Sequence, residues 1–183
     1  INPDYGMYLG GSVIFSDSIP FLAFIFKIFK GILPETFQYF SLWILICIYL
    51  QIFTSYKIVL HYTNNFFYSL ISSFFFLIAT IFIHRSGIHL SLMGHWIILL
   101  YFLINLPDQT KFKEQKKRVL ILFSCLIHFY FTMILILIYF LETFLNLKKN
   151  FKYLFSFLIK NFIFLIILFF LMYITGYFSL KID

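Results

Sequence analysis

An all-α, polytopic transmembrane bundle is the architecture this sequence predicts, and three observations predict it. Composition comes first. Of 183 residues, 62% are hydrophobic and only 11% are charged, whereas a soluble domain carries about 45–50% apolar and about 25% charged residues. Lipid is therefore the expected solvent for most of the chain. The second observation is pattern: from Phe37 onward, apolar runs comparable to the ~20 residues that cross a hydrocarbon core follow one another. The third is charge. Lys and Arg lie in short runs between the apolar stretches, which is how membrane proteins are oriented.

Residues 1–36 are expected to be an outer loop and an interfacial helix, and residues 37–183 the membrane spans of a single domain. Ile1 to Pro20 reads as loop, with turn chemistry at Pro3-Asp4-Tyr5-Gly6 and a break at Gly10-Gly11. Val13-Ile14-Phe15 is short enough to be a strand or an extended segment. Phe21 to Leu33 is too short to span. It carries Lys27 and Lys30 and has Pro20 at a good first-turn position, so an amphipathic interfacial helix is expected, ended by Gly31 and Pro34. The chain starts at Ile1 and stops at Lys181-Ile182-Asp183. It reads as an N-terminal fragment of a longer protein, with a span expected upstream.

About five membrane-embedded segments follow. Phe37 to Tyr56 is the first, and Phe66 to Ile83 is the second. Ser69, Ser72, Ser73, Ala79 and Thr80 give the second a small-residue packing stripe. The His84 to His95 stretch reads as a loop before a third span, Trp96 to Leu106. Pro107 to Arg118 is the most polar linker and holds five basic residues, which makes it cytoplasmic by the positive-inside rule. Counting back, Lys57 to Asn65 is cytoplasmic, while His84 to His95 and Ile1 to Thr36 share the outer face. Val119 to Leu147 would be about 43 Å as one helix. It is either one tilted span or two pieces broken near His128. One crossing would put Lys148, Lys149 and Lys152 outside; a re-entrant turn would keep them inside. Leu154 to Thr175 is the last span.

Several function classes are excluded or disfavoured. The net charge of +7 belongs to the loops between spans, and the aromatics lack the spacing of a nucleic-acid platform. Cys47 and Cys125 sit inside apolar runs without metal-ligand or CxxC spacing. There is no Walker A loop, GxSxG elbow or HExxH helix.

The residues able to carry chemistry gather on the expected outer face. Asp17, in Ser16-Asp17-Ser18-Ile19-Pro20, is either an N-cap of the following helix or a carboxylate at the membrane surface acting as a base or metal ligand. Asp4 is either an Asx turn or a second such acid. Arg85, with His84, His89 and His95, is either an interface anchor or an anion site for a lipid phosphate, since a guanidinium fork suits phosphate oxygens. Zinc is disfavoured, because spacings of five and six residues do not align histidines on one helix face. Lys27 and Lys30 either snorkel or touch phosphate. His128, inside an apolar run, is either a packing histidine or an intramembrane functional group.

Three runs carry a resemblance: Gly11-Ser12-Val13-Ile14-Phe15-Ser16-Asp17-Ser18-Ile19-Pro20, Phe37-Gln38-Tyr39-Phe40-Ser41-Leu42-Trp43, and His89-Leu90-Ser91-Leu92-Met93-Gly94-His95-Trp96. In combination they resemble a family of bacterial multi-pass proteins that looks like the GT-C-type glycosyltransferases. The resemblance implies an inner-membrane enzyme that takes a sugar from a polyprenyl-phosphate carrier and passes it to an acceptor on the outer face. Asp17 or Asp4 would deprotonate the acceptor hydroxyl or hold a divalent metal, Mg or Mn. Arg85, with His89, His95 or Lys27, would bind the carrier phosphate, and membrane lipid would surround the spans. In such enzymes the key acid follows the first span, so the acid is also expected upstream of Ile1. The competing reading is a non-enzymatic transporter or flippase for a lipid-linked or anionic solute, which would use the same Arg and His without a base.

Overall fold

A computed structural model describes residues 17–34, 36–107, 112–147 and 154–178. The described chain is helical: α1 (Pro20–Ile28), α2 (Phe40–Thr63), α3 (Phe66–Ile78), α4 (Thr80–Ile88), a 3-10 turn (Leu90–Met93), α5 (Trp96–Asn105), α6 (Lys113–Cys125), α7 (Phe129–Leu147) and α8 (Leu154–Thr175). Among the described residues one helix, α2, is long and apolar enough to cross a membrane alone. The pair α3 and α4, bent by 45° at its break, passes the same test when taken together. The turn plus α5, together with α7 and α8, supplies shorter apolar helices.

Hydrogen bonds between distant segments fix which ends lie together. Trp43 Nε1 at the start of α2 donates to the Leu90 carbonyl at 2.7 Å. Phe21 N–H at the start of α1 donates to the Leu126 carbonyl between α6 and α7 at 2.7 Å. One end of the bundle thus collects the starts of α1, α2 and α7 with the 3-10 turn. The opposite end joins α5 to α6 and α7 around Glu142, which accepts from Tyr101 and Lys117.

The element boundaries differ from the sequence expectation in several places: α2 runs on through Lys57 and His61 to Thr63, and the expected Phe66 to Ile83 span is bent at Ala79. His84 and Arg85 are helical, because α4 runs through them to Ile88. The polar linker is helical from Lys113 onward, with Phe112 in the left-handed region at φ 56°. Of the two alternatives for Val119 to Leu147 the structure has the one broken near His128, with α6 and α7 packed against each other as a hairpin. No Gly or Pro marks that break. Tertiary bonds hold it instead: the Leu126 carbonyl is taken by α1, and His128 Nδ1 accepts the Tyr130 N–H at 3.2 Å, the place of a helix cap. The distal part of α7 therefore returns to the end where α6 begins. Leu154–Thr175, by contrast, is a helix with the expected bounds.

Large side chains such as Trp43, Tyr101, Leu135 and Tyr139 form a buried core, small hydroxyl-bearing residues are buried along the helix contacts, and many other large apolar residues face outward. Ser55, Ser69, Ser73, Ser124 and Thr132 are fully buried. Phe67, Phe75, Leu137, Phe162 and Phe170 are each more than 60% exposed. The buried hydroxyls are satisfied mainly by carbonyls of their own helix, as in Ser55 to Gln51 and Ser69 to Asn65, both 2.6 Å. Helices can then approach closely without stranding a polar group.

Candidate functional site

The carboxylate of Asp17 does not cap α1. The cap position is Ile19, at φ 43°, with no side-chain bond to the first turn. A β-branched residue in the left-handed region is strained. Here its side chain is fully buried, and its carbonyl accepts from Leu22 and Ala23 N–H. That kink turns the preceding residues back over the bundle end. The Ser18 carbonyl accepts a short bond from the Tyr39 hydroxyl. Asp17 Oδ1 accepts from Ser91 N–H at 3.2 Å and from Ser91 Oγ at 2.6 Å, 74 residues along the chain. Asp17 Oδ2 stands 3.4 Å from His89 Nδ1.

The 3-10 turn makes this possible. His89 breaks out of α4 at φ −137°, ψ 84°, and the chain turns through Leu90–Met93 before α5. Gly94 then passes so close to α7 that a Cβ there would meet Phe131 Cε2 at 3.0 Å and Ile127 Cγ2 at 3.3 Å. His95 is packed edge-on against Phe131 and beside Phe82, and its Nδ1 is buried without a hydrogen-bond partner. His128 is near enough to sense the whole group. Burial holds its pKa below the usual imidazole value, opposed by the Asp17 charge and reinforced by His89 and Arg85. Arg85 is half-buried on α4.

Lys27 lies on the neighbouring α1. It lines a cavity of about 320 Å³ with Phe26, Lys30, Leu33, Phe37 and Tyr39. Tyr39 links the two places, because its ring lines the cavity while its hydroxyl holds Ser18. The cavity is basic at one edge and aromatic elsewhere, which suits an anionic group carried on an apolar body. The structure thus brings Asp17 and His89 into contact, with His128 close by, and sets the Lys27 cavity beside them. Asp4 lies outside the described residues, as does Val13-Ile14-Phe15.

Among protein families, residues 1–182 match a domain of unknown function, DUF6311. The chain belongs to the DUF6311 family. No curated protein and no solved structure matches it.

Two features of this DUF6311 chain escaped the sequence reading. Ser91 was visible only as part of a run, yet it is what holds Asp17. Glu142 is the single acidic residue of Val119–Leu147, and a lone carboxylate in an apolar run is itself a signal. It gathers Tyr101 Oη at 2.8 Å, Lys117 Nζ at 2.7 Å and the Asn105 side-chain amide. Beside it Arg118 Nε donates to Tyr139 Oη at 2.8 Å. For the DUF6311 site, a divalent metal finds a poor donor set. Among the described residues no group of three or more His, Cys, Asp or Glu could hold one, and Ser91 already occupies one oxygen of Asp17.

Proposed function

We propose that this protein is a multi-pass membrane glycosyltransferase of GT-C type, moving a sugar from a lipid-phosphate carrier to an acceptor at one face of the bacterial inner membrane. The membrane part rests on the inverted surface. Rows of exposed Phe, Ile and Leu around buried Ser and Thr suit a lipid solvent and would aggregate in water. In this reading α2 and the bent α3–α4 pair cross the bilayer. The α5–α7 group and α8 are embedded beside them, and α1 lies at the head-group level with Ile28 and Ile32 outward, both at least 80% exposed.

The observation that carries the chemistry is Asp17. A carboxylate drawn away from its own helix start, fixed by Ser91 and set against His89, is not spent on capping, which supports a role in proton handling. The basic cavity at Lys27 and Lys30 adjoins it, and Arg85 stands on the same end. A phosphate there would meet cations, and a leaving phosphate needs that charge. The acceptor hydroxyl would approach the Asp17–His89 pair while the carrier tail follows the apolar surface.

The test is sugar transfer from lipid-linked donors by the protein in membranes, comparing wild type with Asp17→Asn at equal folded amount. The variant should fall by about 10²-fold or more. Near-normal transfer by the variant would leave Asp17 a structural tie. Movement of the lipid-linked solute across the bilayer without any transfer would favour a transporter instead.

A further inference from the structure

The two oxygens of Asp17 are not equivalent. Oδ1 takes both bonds from Ser91, at 3.2 and 2.6 Å, so the carboxylate cannot swing. Oδ2 is left facing His89 Nδ1 at 3.4 Å. The His89 side chain is 51% exposed while that of Asp17 is 30% exposed. The imidazole therefore has a fixed anion beside Nδ1 while about half of its side chain is open to solvent. We propose that His89 is the proton-carrying residue of this site and that Asp17 is its positioning residue.

The physical grounds are those of any carboxylate–imidazole pair. An anion beside Nδ1 favours the tautomer with its proton there, which leaves the lone pair on Nε2, and it stabilises the imidazolium formed when Nε2 gains a proton. An ordinary imidazole also titrates nearer neutrality than an ordinary carboxylate, which suits a base at neutral pH. The other two histidines nearby are differently placed. His128 Nδ1 is used by the Tyr130 N–H, and His95 is wedged against Phe131 with its Nδ1 buried. Of these three, His89 alone has a carboxylate within 4 Å of a ring nitrogen and an exposed side chain.

The inference rests on the transfer reading for its chemistry. The acceptor O–H bond breaks as its oxygen forms a bond to the anomeric carbon of the sugar. The bond from that carbon to the carrier phosphate breaks, and its electron pair stays on the phosphate. The proton rests on His89 Nε2 and is then lost to water.

Two measurements on the full chain in lipid nanodiscs test this. Nitrogen NMR of labelled histidine, with His89→Gln for assignment, reads the tautomer directly. Wild type should hold its proton on Nδ1. In Asp17→Asn the amide can keep the Ser91 bonds through its oxygen and turn its NH₂ to His89, so the proton should move to Nε2. The second measurement is transfer. His89→Ala should lose about 10²-fold, regain much of it with added imidazole, and be no slower when Asp17→Asn is added. An unchanged tautomer in Asp17→Asn, or full transfer by His89→Gln, overturns the assignment and returns the base role to Asp17. A tautomer that moves in a protein showing no transfer at all leaves the pair standing and removes the glycosyltransferase reading.

Discussion

Glu142 and Lys117 face each other across α6 and α7 at 2.7 Å, and their burial is unequal: the Lys117 side chain is 5% exposed and that of Glu142 26%. The consequence is an asymmetric pair of variants. Glu142→Leu leaves a buried ammonium with one remaining carboxylate, Glu114 at 3.2 Å, which is itself 52% exposed and so worth little, and the face of the Tyr101 ring at 5.5 Å. It also strands the hydroxyl of Tyr101, a fully buried residue. Breaking a buried pair from this side costs about 3–5 kcal/mol. Lys117→Met removes the deeper charge. Glu142 keeps Tyr101 and Asn105 and can reach solvent, so the cost should be about 1 kcal/mol. The double variant should be more stable than Glu142→Leu alone, because no unpaired ammonium remains. Equilibrium unfolding in detergent, followed by circular dichroism, measures all three. If Lys117→Met costs as much as Glu142→Leu, or if the double variant is worse than either single, the latch is not held by the burial of Lys117 and the reasoning fails.

Gly94→Ala forces a Cβ to within 3.0 Å of the Phe131 ring and should destabilise by about 1–3 kcal/mol; an unchanged unfolding midpoint would show that α7 yields freely. Burial lowers the pKa of His128, so the unfolded chain takes up a proton first as pH drops below about 6.5, and stability is lost from there down to the lower folded pKa. His128→Asn can keep an acceptor for the Tyr130 N–H and removes the titration, so its midpoint should fall less steeply with acid than wild type; parallel curves would exclude this source. Cysteines placed at Thr36 and Asn64, at opposite ends of α2, should react one-sidedly with an impermeant reagent in intact cells. Equal labelling of both would remove the membrane-spanning reading of α2.

Much of the helix layout was legible because it follows from length and hydropathy. Leu154–Thr175 needed nothing but an apolar run. Pro20 marked the start of α1, and the serine stripe of α3 showed which face packs on α2. The break at Leu126–His128 was legible only as an alternative. No residue there forbids a helix, and what ends α6 is a bond offered by Phe21, more than a hundred positions earlier. The bend at Ala79 was missed for the same reason: its backbone, at φ −50°, ψ 126°, is reached without Pro or Gly. Asp17 shows the limit at the site. Locally it has the pattern of an N-cap, and the cap reading fails because Ile19 adopts a conformation no propensity favours.

The polar chemistry of the bundle is unevenly distributed along its helices. Along the helix interiors, Ser69 and Ser124 reach Thr63 and Thr132 on the neighbouring helix, but Thr54 and Ser55 spend their hydrogen bonds on carbonyls of their own helix. Such bonds bury the hydroxyl safely but do not bind one helix to the next. Side-chain bonds that do cross between elements are concentrated at the two ends, with Asp17, Tyr39 and Trp43 at one and Glu142, Lys117 and Arg118 at the other. At the Glu142 end donors from α5 and α6 meet a carboxylate on α7, so this end ties the three helices together. The Asp17 end is tied differently: its carboxylate is fixed, but the imidazole beside it is half open. Gly94 packs against Phe131 between the Ser91 turn and α5, so α5 and α7 are tied by polar bonds at the far end and by close apolar packing beside Asp17.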